Sequence, residues 1–382
     1  MEKQKICIIG GGLTGLITAI NLSKLNCKID LIVGNINQNL RSSKTIAISQ
    51  SNYDFLKKLN IFKFTRKELW PCSKMKLYTE IKNKKFLEIF QLTNDSKKKK
   101  QILYVLENAK IIKYMINKIK QTKSISMISN EMVSGIVTSG LLKSVKSNNS
   151  SKYNLVIICA GSNSSLVKNL FHDQFIHHSY DETAVTVTLN HSPTKNNTAR
   201  QIFLNDEILA LLPISNTRTS IVWSVKKNMY KKNNLLIRDK IRFYTKDYLK
   251  KVKFSTNIEY KDLNFLVRNQ YFQDRILLFG DALRAVHPLV GQGFNMTLRD
   301  LTALKKILTQ KIYLGLDVGS SDILSEFSNE IKPRNFIFSI GSDLLKKSLS
   351  FKEPRNNAFR MLNKNEFVKN IFFNIANTGP RF

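Results

Sequence analysis

Cysteine is scarce in this sequence of 382 residues. Cys7, Cys27, Cys72 and Cys159 are too few and too scattered for a disulfide scaffold, and no two form a CxxC pair. That excludes a zinc ribbon and a thioredoxin-like redox site. No apolar run approaches the ~20 residues that a membrane-spanning helix needs. The opening MEKQKICIIGGG enters a strand at once, so no signal peptide is expected. Acidic residues are also short: 28 Asp and Glu against 61 Lys and Arg give a net charge of +33. Such an excess points to nucleic acid or to anionic lipid. Here the lysines are spread along the whole chain, with only Lys97–Lys100 forming a tight run, and Asn and Ile are heavily used beside them, as in KKNMYKKNNLL. The excess reads first as compositional drift and second as adhesion to an anionic membrane face. No zinc-finger, RRM or KH pattern supports nucleic acid, which is not expected as a partner.

The length suggests two or three lobes, and a chain this long buries about three-quarters of its unfolded surface, enough for a core without staples. Residues 5–9 read as a strand running into Gly10-Gly11-Gly12-Leu13-Thr14-Gly15. A helix with Leu16, Ile17, Ala19, Ile20 and Leu22 inward follows, then a second strand over 28–33. This is a βαβ opening built on GxGxxG. In such a turn Gly10 permits the tight bend, Gly12 lets backbone approach a pyrophosphate, and Gly15 lets helix pack on strand. The helix N-terminus then offers free N–H groups to phosphate. One piece is missing. An acid usually ends the second strand about 20 residues after the glycines and holds a ribose, but here Val33 and Gly34 stand there, with Asn35 and Asn37 the nearby polar substitutes.

Farther on, 101–120 reads as helix-like, 143–153 as a polar turn or loop, and 155–159 as a buried strand ending at Ala160-Gly161. Between 180 and 275 the period switches to two, which predicts a mostly antiparallel sheet with strands over 183–189, 200–204, 208–212, 220–225 and 265–271. A strand over 275–279 then delivers Gly280-Asp281. A helix over about 293–310 follows, and the last 60 residues read helical. Trp70 and Trp223 are expected in the core. His172, His177, His178 and His191 lack carboxylate or thiol companions at ligand spacing, so no metal is expected. His287 reads as shaping the loop before Pro288. No GxSxG elbow occurs.

The segment GDALRAVHPLVGQGFNMTLRD (280–300) carries the most information. A strand tip presents Asp281 to a polyol hydroxyl, Gly291 and Gly293 keep side chains away from a close ligand, and a helix starts facing it. This segment resembles the second flavin-binding motif of the FAD-dependent aromatic hydroxylase superfamily. Stretches 44–62, 103–111, 198–225 and 334–350 agree in order and narrow the resemblance to the ubiquinone-biosynthesis hydroxylase family.

The resemblance implies an α/β fold with an α+β insert. A Rossmann-like FAD-binding domain (1–75, 100–175 and 270–330) would be interrupted by a mostly antiparallel substrate sheet (176–270) and covered by a C-terminal helical segment (331–382). It implies that Gly10, Gly12 and Gly15 approach the FAD pyrophosphate, that Asp281 binds the ribityl or pyrophosphate side, and that Gly291, Gln292, Gly293 and Asn295 line the isoalloxazine through backbone groups. Lys44 stands where relatives often carry an arginine, with Arg41 the nearby alternative. The helix after Asn295 would stabilise negative charge on the reduced ring.

The implied activity is a FAD-dependent monooxygenase. NAD(P)H or another donor reduces the flavin, O2 is captured as a C4a-hydroperoxide, and one oxygen passes to the ring of a polyprenyl phenol or quinone precursor of ubiquinone. No catalytic side chain is assigned, because the cofactor carries the chemistry. A polyprenyl substrate implies work at the membrane surface. The expected location is cytoplasmic, peripheral at the inner face of the cell membrane, in contact with anionic lipid and with a quinone-biosynthesis complex. Two acids of the family pattern are absent, at Val33 and at Ala160, where Cys159-Ala160-Gly161 replaces Ala-Asp-Gly. That leaves open a non-catalytic FAD-binding scaffold subunit of such a complex, or a flavoprotein hydroxylase of another aromatic substrate.

Overall fold

The computed structural model describes residues 3–61, 63, 65–81, 85–93, 101–147, 150–172, 175–229, 233–288, 291–349 and 351–379. The Lys97–Lys100 run lies outside the described residues.

The sequence opens as its period predicts. Strand Lys5–Ile9 leads into helix Leu13–Leu22 and strand Lys28–Val33. These strands are the centre of a six-stranded sheet ordered 272–273, 276–278, 155–158, 5–9, 28–33, 125–129. Four of its five pairings are parallel, and the one at the 272–273 edge is antiparallel. Leu155–Ile158 is buried throughout, as a central parallel strand covered on both faces must be. Helices Leu13–Leu22, Asn108–Lys120 and Gly293–Tyr313 bury Leu16, Ile17, Met115, Ile119, Leu301 and Leu304 in the core around this sheet. Each such side chain contributes about 1.5–3 kcal/mol of burial.

A larger sheet stands beside it. Its strands run in the order 284–285, 259–268, 175–190, 218–226, 208–213, 198–203, 74–80, 86–93, and 253–254 pairs onto 175–190. All of its pairings are antiparallel but one: Thr198–Phe203 runs parallel to Lys74–Glu80. Two strands that precede residue 100 therefore complete a sheet drawn mainly from 176–270. Trp223 is fully buried on the face that packs against helix Asn234–Thr245, while Trp70 is only partly buried. Helices Ser321–Ser348, Lys352–Lys364 and Glu366–Thr378 close the chain.

Two expectations need correction. Residues 103–107 are a strand, not the start of a helix; Leu103–Glu107 lies between Thr45–Ser49 and Leu69–Cys72, and the helix begins at Asn108. Residues 143–153 are not a loop. Leu142–Lys146 and Ser151–Tyr153 form a three-stranded antiparallel meander with Gly135–Ser139, which buries Val145 and Tyr153. A smaller one concerns the last strand of the large sheet: Glu259–Arg268 starts earlier and stops before Tyr271.

Candidate functional site

Three parallel strands, ending at Ile9, Ile158 and Leu278, deliver three turns to one edge of the sheet, where ligands bind in open α/β folds. Gly10 holds φ +133°, and a Cβ there would meet the Cys159 carbonyl oxygen at 2.6 Å. A Cβ on Gly15 would stand 1.9 Å from the Gly10 carbonyl oxygen, so only glycine lets the helix seat in the turn. Gly12 is different: a Cβ there would meet nothing within 4 Å. It is the N-cap of helix Leu13–Leu22, with no side-chain cap and no acid in the first turn, so the first N–H groups are unclaimed. The tip of strand Ile276–Leu278 is pressed against this turn. Gly280, at φ +66°, would carry a Cβ 2.6 Å from Thr14 Cγ2, and the next residue, Asp281, presents an exposed carboxyl group.

These turns border a cavity of about 1190 Å³. Gly10, Gly12, Lys44, Asp281, Gly291 and Gly293 line it, as do Ala160 and Gly161. Gly15, Gln292 and Asn295 stand behind the wall. Asn295 is buried and serves as a brace. Its Nδ2 donates to Ala47 O at 2.9 Å and Gly291 O at 3.1 Å, and its Oδ1 accepts from Ser49 N at 3.0 Å and Asn52 Nδ2 at 2.7 Å. The Gly291 loop is thereby tied to strand Thr45–Ser49. Gln292 Oε1 accepts from Arg299 Nη2 at 3.1 Å. Lys44 Nζ lies 3.9 Å from Glu259 Oε2, while Arg41 lines a separate depression.

Sequence reasoning missed several residues. Glu182 accepts from His287 Nε2 at 2.9 Å and from Lys346 Nζ at 2.5 Å, so one carboxylate joins the sheet, the loop after Asp281 and the long helix Ser321–Ser348. Burial raises the Glu182 pKa, but the hydrogen bonds from His287 and Lys346 outweigh it and hold the group below its ordinary value. Burial lowers the His287 pKa, so its ring is neutral near pH 7 and donates through Nε2. His287 thus shapes its loop, as expected. Behind it, Arg284 Nη1 pairs with Asp300 Oδ2 at 2.7 Å, both buried. His178 pairs with Asp343, and His191 bonds to Ser192 O and Thr219. Among the described residues no group of three or more His, Cys, Asp or Glu is arranged to hold a metal.

The far lobe of the cavity is the inner face of the large sheet. Register sets Leu77, Gln201, Ala210, Val222 and Thr186 in one row across five strands. Met75, Leu103, Ala199 and Leu212 extend this apolar surface within the cavity. Gln201 is 6% exposed, and its amide has no hydrogen-bond partner among the described residues. The guanidinium of the adjacent Arg200 is turned to the opposite face, over the Tyr248 ring. The lobe thus combines an apolar wall with a few polar groups, the Gln201 amide and Thr186 on the row and Glu259 and Lys261 on the next strand, the usual composition of a site for an apolar ring bearing polar substituents.

An uncapped helix start, an open backbone at Gly12 and the Asp281 carboxylate along one cavity fit a dinucleotide such as FAD. A family model described as "FAD binding domain" matches residues 3–334. Ubiquinone biosynthesis monooxygenase COQ6 of Dictyostelium discoideum is 24% identical over 453 aligned residues, spanning 97% of this chain and 90% of that protein. Ubiquinone hydroxylase UbiM of Neisseria meningitidis is 22% identical, spanning 85% of this chain and 73% of that protein. COQ6 of Xenopus tropicalis is 28% identical over 239 residues, and there the match spans about half of each protein, 52% of this chain and 51% of the relative. Among solved structures, p-nitrophenol 4-monooxygenase PnpA from Pseudomonas putida aligns over 100% of both chains with a TM-score of 0.80 at 16% identity. Klebsiella pneumoniae HpxO, complexed with FAD and uric acid, aligns over 99% of this chain and 97% of its own with a TM-score of 0.77 at 14% identity. At those identities the structures establish a shared fold.

Proposed function

This chain belongs to the FAD-binding-domain family and is a FAD-dependent aromatic monooxygenase, and we propose that it hydroxylates the ring of a polyprenylated ubiquinone precursor. The observation that carries this reading is the continuity of one cavity from the Gly12 turn, past Asp281 and the Gly291–Gly293 loop, to the apolar lobe around Gln201. The relatives named as ubiquinone hydroxylases support the substrate class.

In this reading the N–H groups at the start of helix Leu13–Leu22 hold the pyrophosphate. Gly10 and Gly15 shape that turn, and Asp281 accepts from cofactor hydroxyls. Gly291 and Gly293 lie along the ring, steadied by Gln292 and Asn295. Lys44, with its Glu259 partner, sits at the cavity rim. FAD, once bound and reduced, would activate O2, one atom of which enters the ring while the other leaves as water. The sheet lobe orients the substrate: the apolar wall excludes water, and the Gln201 amide takes a ring hydroxyl or carbonyl. NAD(P)H is the proposed electron donor.

The division into a FAD-binding domain, a substrate sheet and a C-terminal segment follows the same reading. A polyprenyl tail brings the protein to a bilayer. No described helix is long and apolar enough to cross a membrane. Contact with an anionic surface, at the inner face of the cell membrane, is supported by exposed Phe336, Ile337, Leu344 and Phe351 beside Lys347 and Lys352. A quinone-biosynthesis complex is a further proposed partner. Analysis of quinone intermediates in cells lacking the gene tests the function. A prenylated phenol missing one ring hydroxyl is expected to accumulate, and an unchanged quinone pool overturns the proposal.

A further inference from the structure

The acid absent from Val33 has a counterpart from another part of the chain. Strand Ile125–Ser129 runs parallel to Lys28–Val33, with Ser129 beside Val33. Asn130 then adopts φ +60°, a left-handed conformation that asparagine tolerates. The turn brings Glu131 back across the tip of the second strand, where Glu131 N donates to Val33 O at 3.2 Å. Glu131 lines the cavity on the wall shared by Gly10, Gly11, Gly12 and Gly34. Its Oε2 is buried without a hydrogen-bond partner, and the carboxylate forms no ion pair with any described residue. Gly34, which follows Val33 and lines the same cavity, has open space where a Cβ would stand. A buried carboxylate oxygen without a partner is costly unless a ligand completes it.

We propose that Glu131 is the ribose-binding acid of this protein, accepting a hydrogen bond from the adenosine 2′-hydroxyl of FAD in place of the acid that ordinarily ends the second strand. The two positions lie at the ends of adjacent strands, and the chain that lacks an acid at one carries an acid at the other. The inference rests on FAD occupying the cavity.

The test is a two-by-two titration of the full-length protein, stripped of flavin, with FAD and with its 2′-deoxyadenosine analogue, read by flavin fluorescence. Wild type is expected to bind the deoxy cofactor ten- to a hundredfold more weakly than FAD. Glu131→Ala is expected to lose the same factor for FAD and to distinguish the two cofactors by less than twofold. Glu131→Gln, which preserves volume, is the second variant should alanine loosen the turn, and it is expected to fall between. Its melting temperature without flavin is expected to match or exceed that of wild type, because the carboxylate it replaces has no protein partner. Equal discrimination by wild type and variants, or unaltered FAD affinity in Glu131→Ala, overturns the assignment of Glu131 and leaves the monooxygenase reading intact. Failure of wild type to bind either cofactor overturns both.

Discussion

Replacing Glu182 by alanine separates a structural carboxylate from the ligand-facing ones. Glu182 is buried and holds two partners, His287 Nε2 at 2.9 Å and Lys346 Nζ at 2.5 Å, on two other elements. Removing one member of a buried pair leaves an uncompensated charge, here the Lys346 ammonium, at a cost of about 3–5 kcal/mol. The double variant Glu182→Leu with Lys346→Met removes both charges and leaves only the His287 Nε2–H without an acceptor, a cost of about 1–3 kcal/mol. Urea denaturation of the flavin-free protein, followed by circular dichroism, gives both values as midpoint shifts at constant slope. FAD affinity should fall in the single variant too, because His287 begins the loop that leads to Gly291. A single variant losing less than about 1 kcal/mol would refute the reasoning, as would a double variant losing more than the single.

Asp281→Ala should weaken FAD binding by one to two decades, the equivalent of a charge-assisted hydrogen bond of about 1.5–3 kcal/mol, without moving the urea midpoint of the flavin-free protein; a lowered midpoint with normal FAD affinity would make Asp281 structural. Gln201→Met should weaken binding of a neutral prenyl phenol by up to about tenfold, with FAD affinity unchanged, and flavin absorbance changes on titration report both. Acidification should destabilise the fold in two stages. His287, whose pKa burial lowers from 6.5, resists protonation when folded, so stability begins to fall as pH drops through about 6.5. Glu182, Glu107 and Asp343, each held below its ordinary value by ion pairs that outweigh burial, give stability present above about pH 4.5 and lost as pH falls farther. Melting temperatures across that range would contradict this if they rose toward acid.

Local pattern made the cofactor end of the site legible. The Gly10–Gly15 turn sits within one strand-turn-helix unit and the Gly280–Asp281 tip directly follows a short buried strand, so both are readable in neighbouring residues. Leu103–Glu107 was not legible because a short apolar run has no period of its own, and the helix that follows at Asn108 extends the apparent pattern backward. In the meander strand Leu142–Lys146 the side chain that shares the buried side with Val145 is Lys143, so no apolar alternation marks its inner face. Glu131, Glu182, Lys346 and Gln201 follow another rule. Each acquires its place from register or from a partner far along the chain, and nothing beside it in sequence announces that.

The long helix Ser321–Ser348 shows why hydrophobicity alone misplaces residues near such a site. Its first half buries Ile323, Leu324, Phe327 and Ile331 in the ordinary way. In its second half the buried positions are Asn335, Ser339, Asp343 and Lys346, while Phe336, Ile337, Leu344 and Leu345 are exposed. The reversal has a local cause. Arg284, Asp300, Glu182 and His178 lie beneath that stretch, and a buried charge must be answered by polar groups from the helix above it. Asn335 Nδ2 donates to Asp300 at 3.2 Å, Lys346 reaches Glu182, and Asp343 accepts from His178 at 3.1 Å. The helix therefore turns its polar side inward to satisfy the elements that carry the Asp281 loop, and its apolar side is left outward. One arrangement of charges beneath one helix thus links the support of the cofactor loop to the face that the protein shows its surroundings.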